Sequence, residues 1–407
     1  MKNSDTPIQL YSHQVRILEK NPERYLIALD TGTGKTITGI YLANKNCSSV
    51  LVIVPKTNKQ DWIDNMTEHC TCDDWDVLTK EEFKKHAPKL PAYDGVIVDE
   101  GHYFAGIKSQ LSKTLMAYFK KHDTRYRWIM TATPYLSTPL NIYVLGKLLG
   151  HNWNYAYFTN QFFYRINMGG RLISKIKPGM EDELAKLVKA IGETVDMGSL
   201  VTVPEQTFIT HYFKLTEPQI EAIQNLDEPV FISRWTKKHQ IENGHLYGAD
   251  DGTGSLITQH YINEKSEWIL KNIKDKNKVA IFCRYKEQIA QYKALISYMY
   301  PNRPIFELHG DVKDRYTVIH DADNAPEAVI LIQSECSAGY ELPSFDFIIF
   351  ASLSFSYVSL KQAMGRFLRI NRLKENTFVH LVVDGVDKDI YDCIMRKEDF
   401  SINLYKN

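Results

Sequence analysis

Residues 25–36 read YLIALDTGTGKT, and the fold follows from this stretch. Residues 25–29 are an apolar run of strand length, and residues 36–44 read as a helix. Between them lies a glycine-rich turn. Strand, glycine turn and helix in that order are the setting of a phosphate-binding loop. Gly32 and Gly34 let the backbone bend so that its N–H groups, with that of Thr33, can face an anion. The helix N-terminus adds a favourable dipole. Lys35 can reach the outer phosphates of a nucleotide, and the Thr36 hydroxyl can ligate Mg2+. Leu29 stands where the full GxxxxGKT pattern has its first glycine.

Working outward, further short apolar runs alternate with helical stretches. Residues 50–54 (VLVIV) end at Pro55, residues 95–98 (GVIV) run into Asp99-Glu100, and residues 128–130 lead into TATP. Short buried strands separated by helices indicate a parallel α/β sheet, whose functional residues gather past the strands' carboxyl ends. From residue 146 to 260 the pattern loosens, aromatic and basic residues mix, and helices are expected more than strands. The rhythm returns with runs at 279–283, 305–308, 328–332, 347–350 and 378–383. The chain is therefore expected to carry a first α/β domain over 1–145, a mainly helical insertion over 146–260 and a second α/β domain over 261–407.

Residues 96–102 (VIVDEGH) place two acids at a strand end. Asp99 is placed to hold Mg2+, and Glu100 to polarise a water that attacks a γ-phosphate. Two adjacent acids are often plain surface charge. Their position about 65 residues after a phosphate loop favours the chemical reading. His102 is spaced to link the acids to Thr131 and Thr133. In the second half, residues 361–371 (KQAMGRFLRIN) read as a helix with Gln362, Arg366 and Arg369 at i, i+4 and i+7 on one face. A planar guanidinium suits the charge that develops in phosphoryl transfer. Removal of such a finger typically costs about 10³–10⁵ in rate.

TGTGKT, DEGH, TATP and QAMGRFLR occur in the order seen in superfamily-two helicases, and the chain resembles their Swi/Snf-like branch. SHQVRILEK (12–20) looks like the glutamine-containing opening motif, which implies that Gln14 reads adenine. Residues 50–66, 96–115 and 130–149 resemble the branch's next three motifs. SAGYELPSFDFIIF (337–350) resembles the motif that contacts both nucleotide and track, with Gly339 and Glu341 at matching positions. There Cys336 and Ser337 replace the usual double glycine, and Phe355-Ser356-Tyr357 stand for a Trp-Asn-Pro element. The resemblance covers residues 8–160 and 260–372. It implies two RecA-like domains in tandem, ATP and Mg2+ as cofactors, Arg369 as the main finger with Arg366 beside it, and double-stranded DNA as the track ahead of single strands. RNA is the alternative track. A decayed clamp and the motor subunit of a restriction or defence complex are further alternatives; the intact set of ATP-site residues argues against the clamp.

Track contacts are expected after the strand ends: Lys56, Thr57, Asn58 and Trp62 in the first half, and Arg284, His309 and Ser334 in the second. Such backbone contacts position nucleic acid without reading sequence. Residues 164–179 add Arg165, Arg171, Lys175 and Lys177 with no acid.

Composition fits this reading without deciding it. The 407 residues suit two or three domains, and 24% of them are charged with a net charge of zero. No run of 18 apolar residues offers a membrane span, and MKNSDTPIQL lacks a secretory pattern. A monomer in a bacterial or virus-infected cytoplasm is expected. Six unevenly spaced cysteines suit reduced thiols; Cys70 and Cys72 lack the second ligand pair that a zinc site needs.

Overall fold

The computed structural model describes residues 9–132, 140–168, 171–195, 197–250, 256–336, 340–368 and 374–396. The chain splits into two compact units: Met1–Ile166 with Leu172–Thr202, and Asn167–Arg171 with Val203–Asn407. None of the described helices is long and apolar enough to cross a membrane.

The first unit is built on β1 (Arg24–Leu29), β2 (Ser49–Val54), β3 (Asp74–Thr79), β4 (Gly95–Val98) and β5 (Tyr126–Met130). A two-stranded sheet of β6 (Phe163–Met168) and β7 (Arg171–Ile176) follows, and β8 (Gly192–Val195) returns to the main sheet. The main order is β3-β2-β4-β5-β1-β8, and every pairing is parallel. Side chains alternate across each strand. Leu26, Ala28, Leu51, Ile53, Val96, Val98 and Ile129 join one core, while Ile27, Leu29, Val50, Val52, Val54, Ile97, Trp128 and Met130 join the other. Both faces are covered, which is why the strand runs are continuously apolar. Each buried Val, Leu, Ile or Met side chain among them contributes about 1.5–3 kcal/mol.

The second unit repeats the plan. Its strands are β9 (Thr207–Phe213), the hairpin β10 (His245–Asp250) and β11 (Leu256–His260), β12 (Lys278–Cys283), β13 (Ile305–Leu308), β14 (Ala328–Gln333), β15 (Phe347–Phe350) and β16 (Thr377–Val383). The parallel order is β13-β14-β12-β15-β16-β9. Two RecA-like parallel sheets in tandem are thus present.

The stretch 146–260 does hold helices, at Tyr155–Phe162, Glu181–Ile191, Glu217–Gln224 and Phe231–Glu242. It also holds strands, which the sequence reading did not expect, and it forms no unit of its own. β8 closes the first sheet beside β1, and β9 closes the second beside β16. Both are edge strands; β8 buries only Gly192 and Val195 and β9 buries no residue fully, so the apolar run that marks a central strand is missing. β3 (DWDVLT) was missed for the same reason. The arginine helix is also shorter than expected: it spans Tyr357–Gly365, and Arg366 is its C-cap. Gly365 is a weak helix former at the point where the helix stops.

A polar knot fastens the second unit. Lys265, wholly buried, donates to Asp387 Oδ2 at 2.7 Å, Asn243 Oδ1 at 2.9 Å and the Ala351 carbonyl at 2.7 Å. His239 Nε2 lies 3.2 Å from Asp387 Oδ1, and its Nδ1 2.7 Å from the Tyr285 hydroxyl. The Glu242 carboxylate accepts the Val386 and Asp387 N–H groups at 2.9 and 2.8 Å. Burial would raise the Asp387 carboxyl, but the Lys265 charge and His239 hold it well below the usual range. For Glu242 burial outweighs the two N–H bonds and the Lys265 charge, and pushes its carboxyl up to about 8 from 4.5.

A carboxyl raised in this way keeps its proton in the folded protein after the unfolded chain has lost its own. Its contribution to stability is complete below about pH 4.5 and is lost as the pH climbs toward 8. Glu242→Gln, the isostere of the protonated acid, is expected to abolish that loss. Thermal denaturation from about pH 5 to 8 should show the variant gaining on the wild type as the pH rises; two parallel curves would show that Glu242 is ionised in the folded state.

Candidate functional site

At the end of β1 the chain turns through Gly32 (φ 78°) and Gly34 (φ 85°), both left-handed, into α2 (Lys35–Asn46). A Cβ on Gly34 would lie 2.6 Å from the Gln14 amide nitrogen, so the glycine serves both the bend and a close approach. The approaching element is α1 (Ser12–Lys20). Gln14 donates to the Gly34 carbonyl at 3.0 Å and to Thr38 Oγ1 at 3.2 Å, and accepts the Tyr11 N–H at 2.8 Å. His13 Nε2 lies 2.9 Å from the Thr33 carbonyl. The loop is thus stitched to α1 before any ligand arrives. Lys35 folds back on it, donating to the carbonyls of Leu29 at 2.8 Å and Asp30 at 3.0 Å. Thr33 Oγ1 also donates to the Asp30 carbonyl, at 2.6 Å. Thr36 is half-buried in the first turn of α2.

The acid pair follows β4. Asp99 is buried; its Oδ2 accepts Asn58 Nδ2 at 2.9 Å and Trp62 Nε1 at 3.0 Å, and its Oδ1 accepts the Glu100 N–H at 2.9 Å. Burial and then Glu100 push its carboxyl above the usual range; Asn58, Trp62 and the Lys35 charge pull the other way. Glu100 is buried in the left-handed region (φ 48°, ψ 54°), a conformation that costs a non-glycine residue about 1–3 kcal/mol. Its Oε2 lies 3.1 Å from His102 Nδ1. Thr131, also buried, follows β5, the strand between β1 and β4, and its N–H donates to the Ile27 carbonyl at 3.1 Å. Thr133 lies outside the described residues.

Two expected track residues are corrected. Trp62 is 2% exposed, and its ring belongs to the sheet core while its N–H holds Asp99. Ser334 is 7% exposed and donates to the Cys283 carbonyl at 3.1 Å. Neither side chain faces outward. Asn58 likewise spends its amide on Asp99. Lys56 is exposed, and Thr57 is half-buried with its hydroxyl on Asn58 Oδ1 at 3.1 Å. Arg284 pairs with Glu335 at 2.5 Å and lies 4.5 Å from the Phe355 ring. His309 is half-buried, 3.9 Å from Asp311.

In the second unit Gln362 is buried, and among the described residues its amide nitrogen finds no acceptor. Arg366 is 4% exposed, with its guanidinium 5.9 Å from the Tyr340 ring and its carbonyl accepting the Leu342 N–H at 2.9 Å. The helix stops at Gly365, so Gln362 lies within it and Arg366 caps its end. Glu341 is half-buried. Gly339 and Arg369 lie outside the described residues.

The sequence reading missed His13, Asp30 and the supporting role of Asn58. Asp30 Oδ2 accepts the Met197 N–H at 3.0 Å, tying the loop to the residues after β8. Adjacency to Gln14 could have flagged His13; nothing local announces a partner 167 residues away.

Two parallel sheets in tandem, the first with a glycine loop after β1 and an acid pair after β4, define the tandem RecA-like class. A family model described as SNF2-related domain matches residues 77–264. A second, described as helicase conserved C-terminal domain, matches residues 264–371. The two meet at residue 264 and together match residues 77–371, so the chain is similar to the Swi/Snf-like branch of the superfamily-two helicases. No curated protein matches it. Among solved structures, the Pyrococcus furiosus Hef helicase domain is 13% identical, covers 94% of this chain and 97% of its own, and has a TM-score of 0.53. It shows the fold and nothing finer. The Sulfolobus solfataricus SWI2/SNF2 ATPase core, solved in complex with dsDNA, is 17% identical, with coverage of 97% and 92% and a TM-score of 0.43.

The Trp62 correction is directly testable. Trp62→Phe keeps an aromatic ring, smaller than the indole, and removes one N–H bond to a carboxylate, an interaction worth about 1.5–3 kcal/mol. Steady-state ATP hydrolysis is expected to fall roughly tenfold or more, with nucleic-acid affinity unchanged in a filter-binding titration. A loss of affinity with hydrolysis intact would restore Trp62 to the track.

Proposed function

We propose that this chain is an ATP-dependent motor that translocates on DNA, duplex ahead of single-stranded. The observation that carries the reading is the placement, on one rim of the first sheet, of the glycine loop after β1 and the acid pair after β4, with Thr131 after β5 between them. Similarity to the Swi/Snf-like branch supports the same reading.

In this reading Lys35 exchanges the carbonyls of Leu29 and Asp30 for the phosphates of ATP, while the N–H groups of residues 32–36 line the loop. Gln14, already placed against Gly34, orients the adenine. The residues present fit a magnesium ion: Thr36 offers a hydroxyl on the first turn of α2, and Asp99 a carboxylate held by neutral donors. When bound, the ion supplies charge neutralisation at the transferring phosphate. Glu100 takes the proton of the attacking water. His102, 3.1 Å from Glu100, and Thr131 connect that event to the strand ends. Arg366 and Arg369 supply the second unit's cations, as the branch's motif implies. Lys56, Thr57, Arg284 and His309 remain the candidate phosphate contacts of the track.

ATP hydrolysis by purified protein should be measured alone and with duplex DNA, single-stranded DNA and RNA, beside Glu100→Gln. Strong stimulation by DNA, abolished by the substitution, is the expected result. Stimulation by RNA alone would keep the motor and change its track. Turnover no higher than the Glu100→Gln background under every condition would overturn the motor and favour a clamp.

A further inference from the structure

Lys80 stands at the carboxyl end of β3 and is the first residue of the helix Lys80–His86. Its position is fixed from both sides. Thr79 and Glu82 form a reciprocal cap, with the Glu82 N–H on Thr79 Oγ1 at 3.1 Å and the Thr79 N–H on Glu82 Oε2 at 2.7 Å. Lys59 then pins Glu82 at 2.7 Å. A helix start tied this firmly leaves the Lys80 side chain little choice of direction.

That side chain crosses to the turn carrying the acid pair. Its ammonium lies 3.3 Å from the centroid of the Tyr103 ring, and its side chain is only 20% exposed. The nearest carboxylate among the described contacts is Glu81, at 3.9 Å. The Tyr103 ring packs on His102, centroids 4.2 Å apart, and His102 Nδ1 lies 3.1 Å from Glu100 Oε2. The Tyr103 N–H donates to the Glu100 carbonyl at 3.0 Å, closing the turn behind the glutamate. A largely buried ammonium over an aromatic face is held by the ring quadrupole, an attraction that grows as water is excluded. Burial lowers the lysine's affinity for its proton, and the carboxylates of Glu81 and Glu100 restore part of it.

We propose that Lys80 is a positioning residue for hydrolysis, acting through Tyr103 to hold the His102–Glu100 pair in register. The inference rests on the motor reading. Lys80 touches neither nucleotide nor water in this role. It clamps the ring that backs His102, and so fixes the strained turn on which Glu100 sits.

The test compares Lys80→Met, Lys80→Arg, Tyr103→Leu and the Met/Leu double variant in nucleic-acid-saturated ATP hydrolysis, with melting temperature and nucleic-acid affinity alongside. Lys80→Met is expected to lower kcat roughly tenfold with KM for ATP unchanged, because only a transition-state interaction is lost. Lys80→Arg, which keeps a cation over the ring, is expected to stay within about threefold of wild type. If Lys80 acts through the ring, the double variant is no worse than Tyr103→Leu alone. The Tyr103→Leu comparison also reads the coupling should Lys80→Met prove unstable. Unchanged kcat in Lys80→Met would overturn the inference while leaving the motor intact. Weakened nucleic-acid binding with kcat intact at saturation would make Lys80 an ordinary phosphate contact and overturn it equally. Multiplying losses in the double variant would show that Lys80 does not act through Tyr103. A wild-type protein without turnover would remove the motor reading, and this inference with it.

Discussion

Parallel pairing is the constraint from which the rest follows. In the first sheet Ile27 pairs with Met130, Val98 with Ile129, and Ile53 with Val98. Every strand therefore ends on the same rim. Just past the strand ends come the glycine loop after Leu29, Thr131 after Met130 and Asp99 after Val98, on one rim without any long-range side-chain device. An antiparallel strand in β5's place would send Thr131 to the opposite rim. The parallel crossovers need covering helices, the helices bury both faces, and double burial demands continuously apolar strands.

Each unit also hides a carboxylate among its strand ends, and the two are satisfied differently. Asp387 faces Lys265 and is held well below the ordinary range, so its charge is spent inside the protein. Removing one partner of such a pair typically costs about 3–5 kcal/mol, which marks it as structural. Asp99 is met by an amide, an indole and a backbone N–H, all neutral, and burial leaves its carboxyl raised. Burying an acid among neutral donors is costly for stability alone, which sets Asp99 apart from the ion-paired Asp387.

Legibility in the sequence followed burial. Central strands such as VLVIV and VAIFC announce themselves because both faces are covered, and the glycine loop does so because its spacing has few other uses. Of the edge strands, β13 (IFEL) kept enough apolar residues to be read, whereas β3, β8 and β9 did not, because their residues are mixed. The same blindness misplaced Trp62 and Ser334. Their positions after strand ends were read correctly, but a motif does not say whether a side chain leaves the rim outward or turns back beneath it. Trp62 turns back because its helix, Lys59–His69, packs an apolar face on the sheet, and the indole N–H then meets Asp99. For the arginine run, periodicity carried the helical face past Gly365, where the helix stops.

The turn after β4 shows why Glu100 tolerates its strained backbone. Gly101 sits so close to β5 that a Cβ there would lie 2.2 Å from Ile129 Cγ2. Phe104 is sunk in the core, Tyr103 and Ala105 close backbone bonds to Glu100 and His102, and Ser112 takes the Phe104 carbonyl at 2.5 Å. With both ends of the turn fixed, the left-handed residue has no relaxed alternative, and the strain is sustained by contacts on three sides. Glu100 is thereby aimed by the fold rather than by its own rotamer. The turn is also packed from outside, by Lys80 at the start of the helix that follows β3, two places away in the sheet.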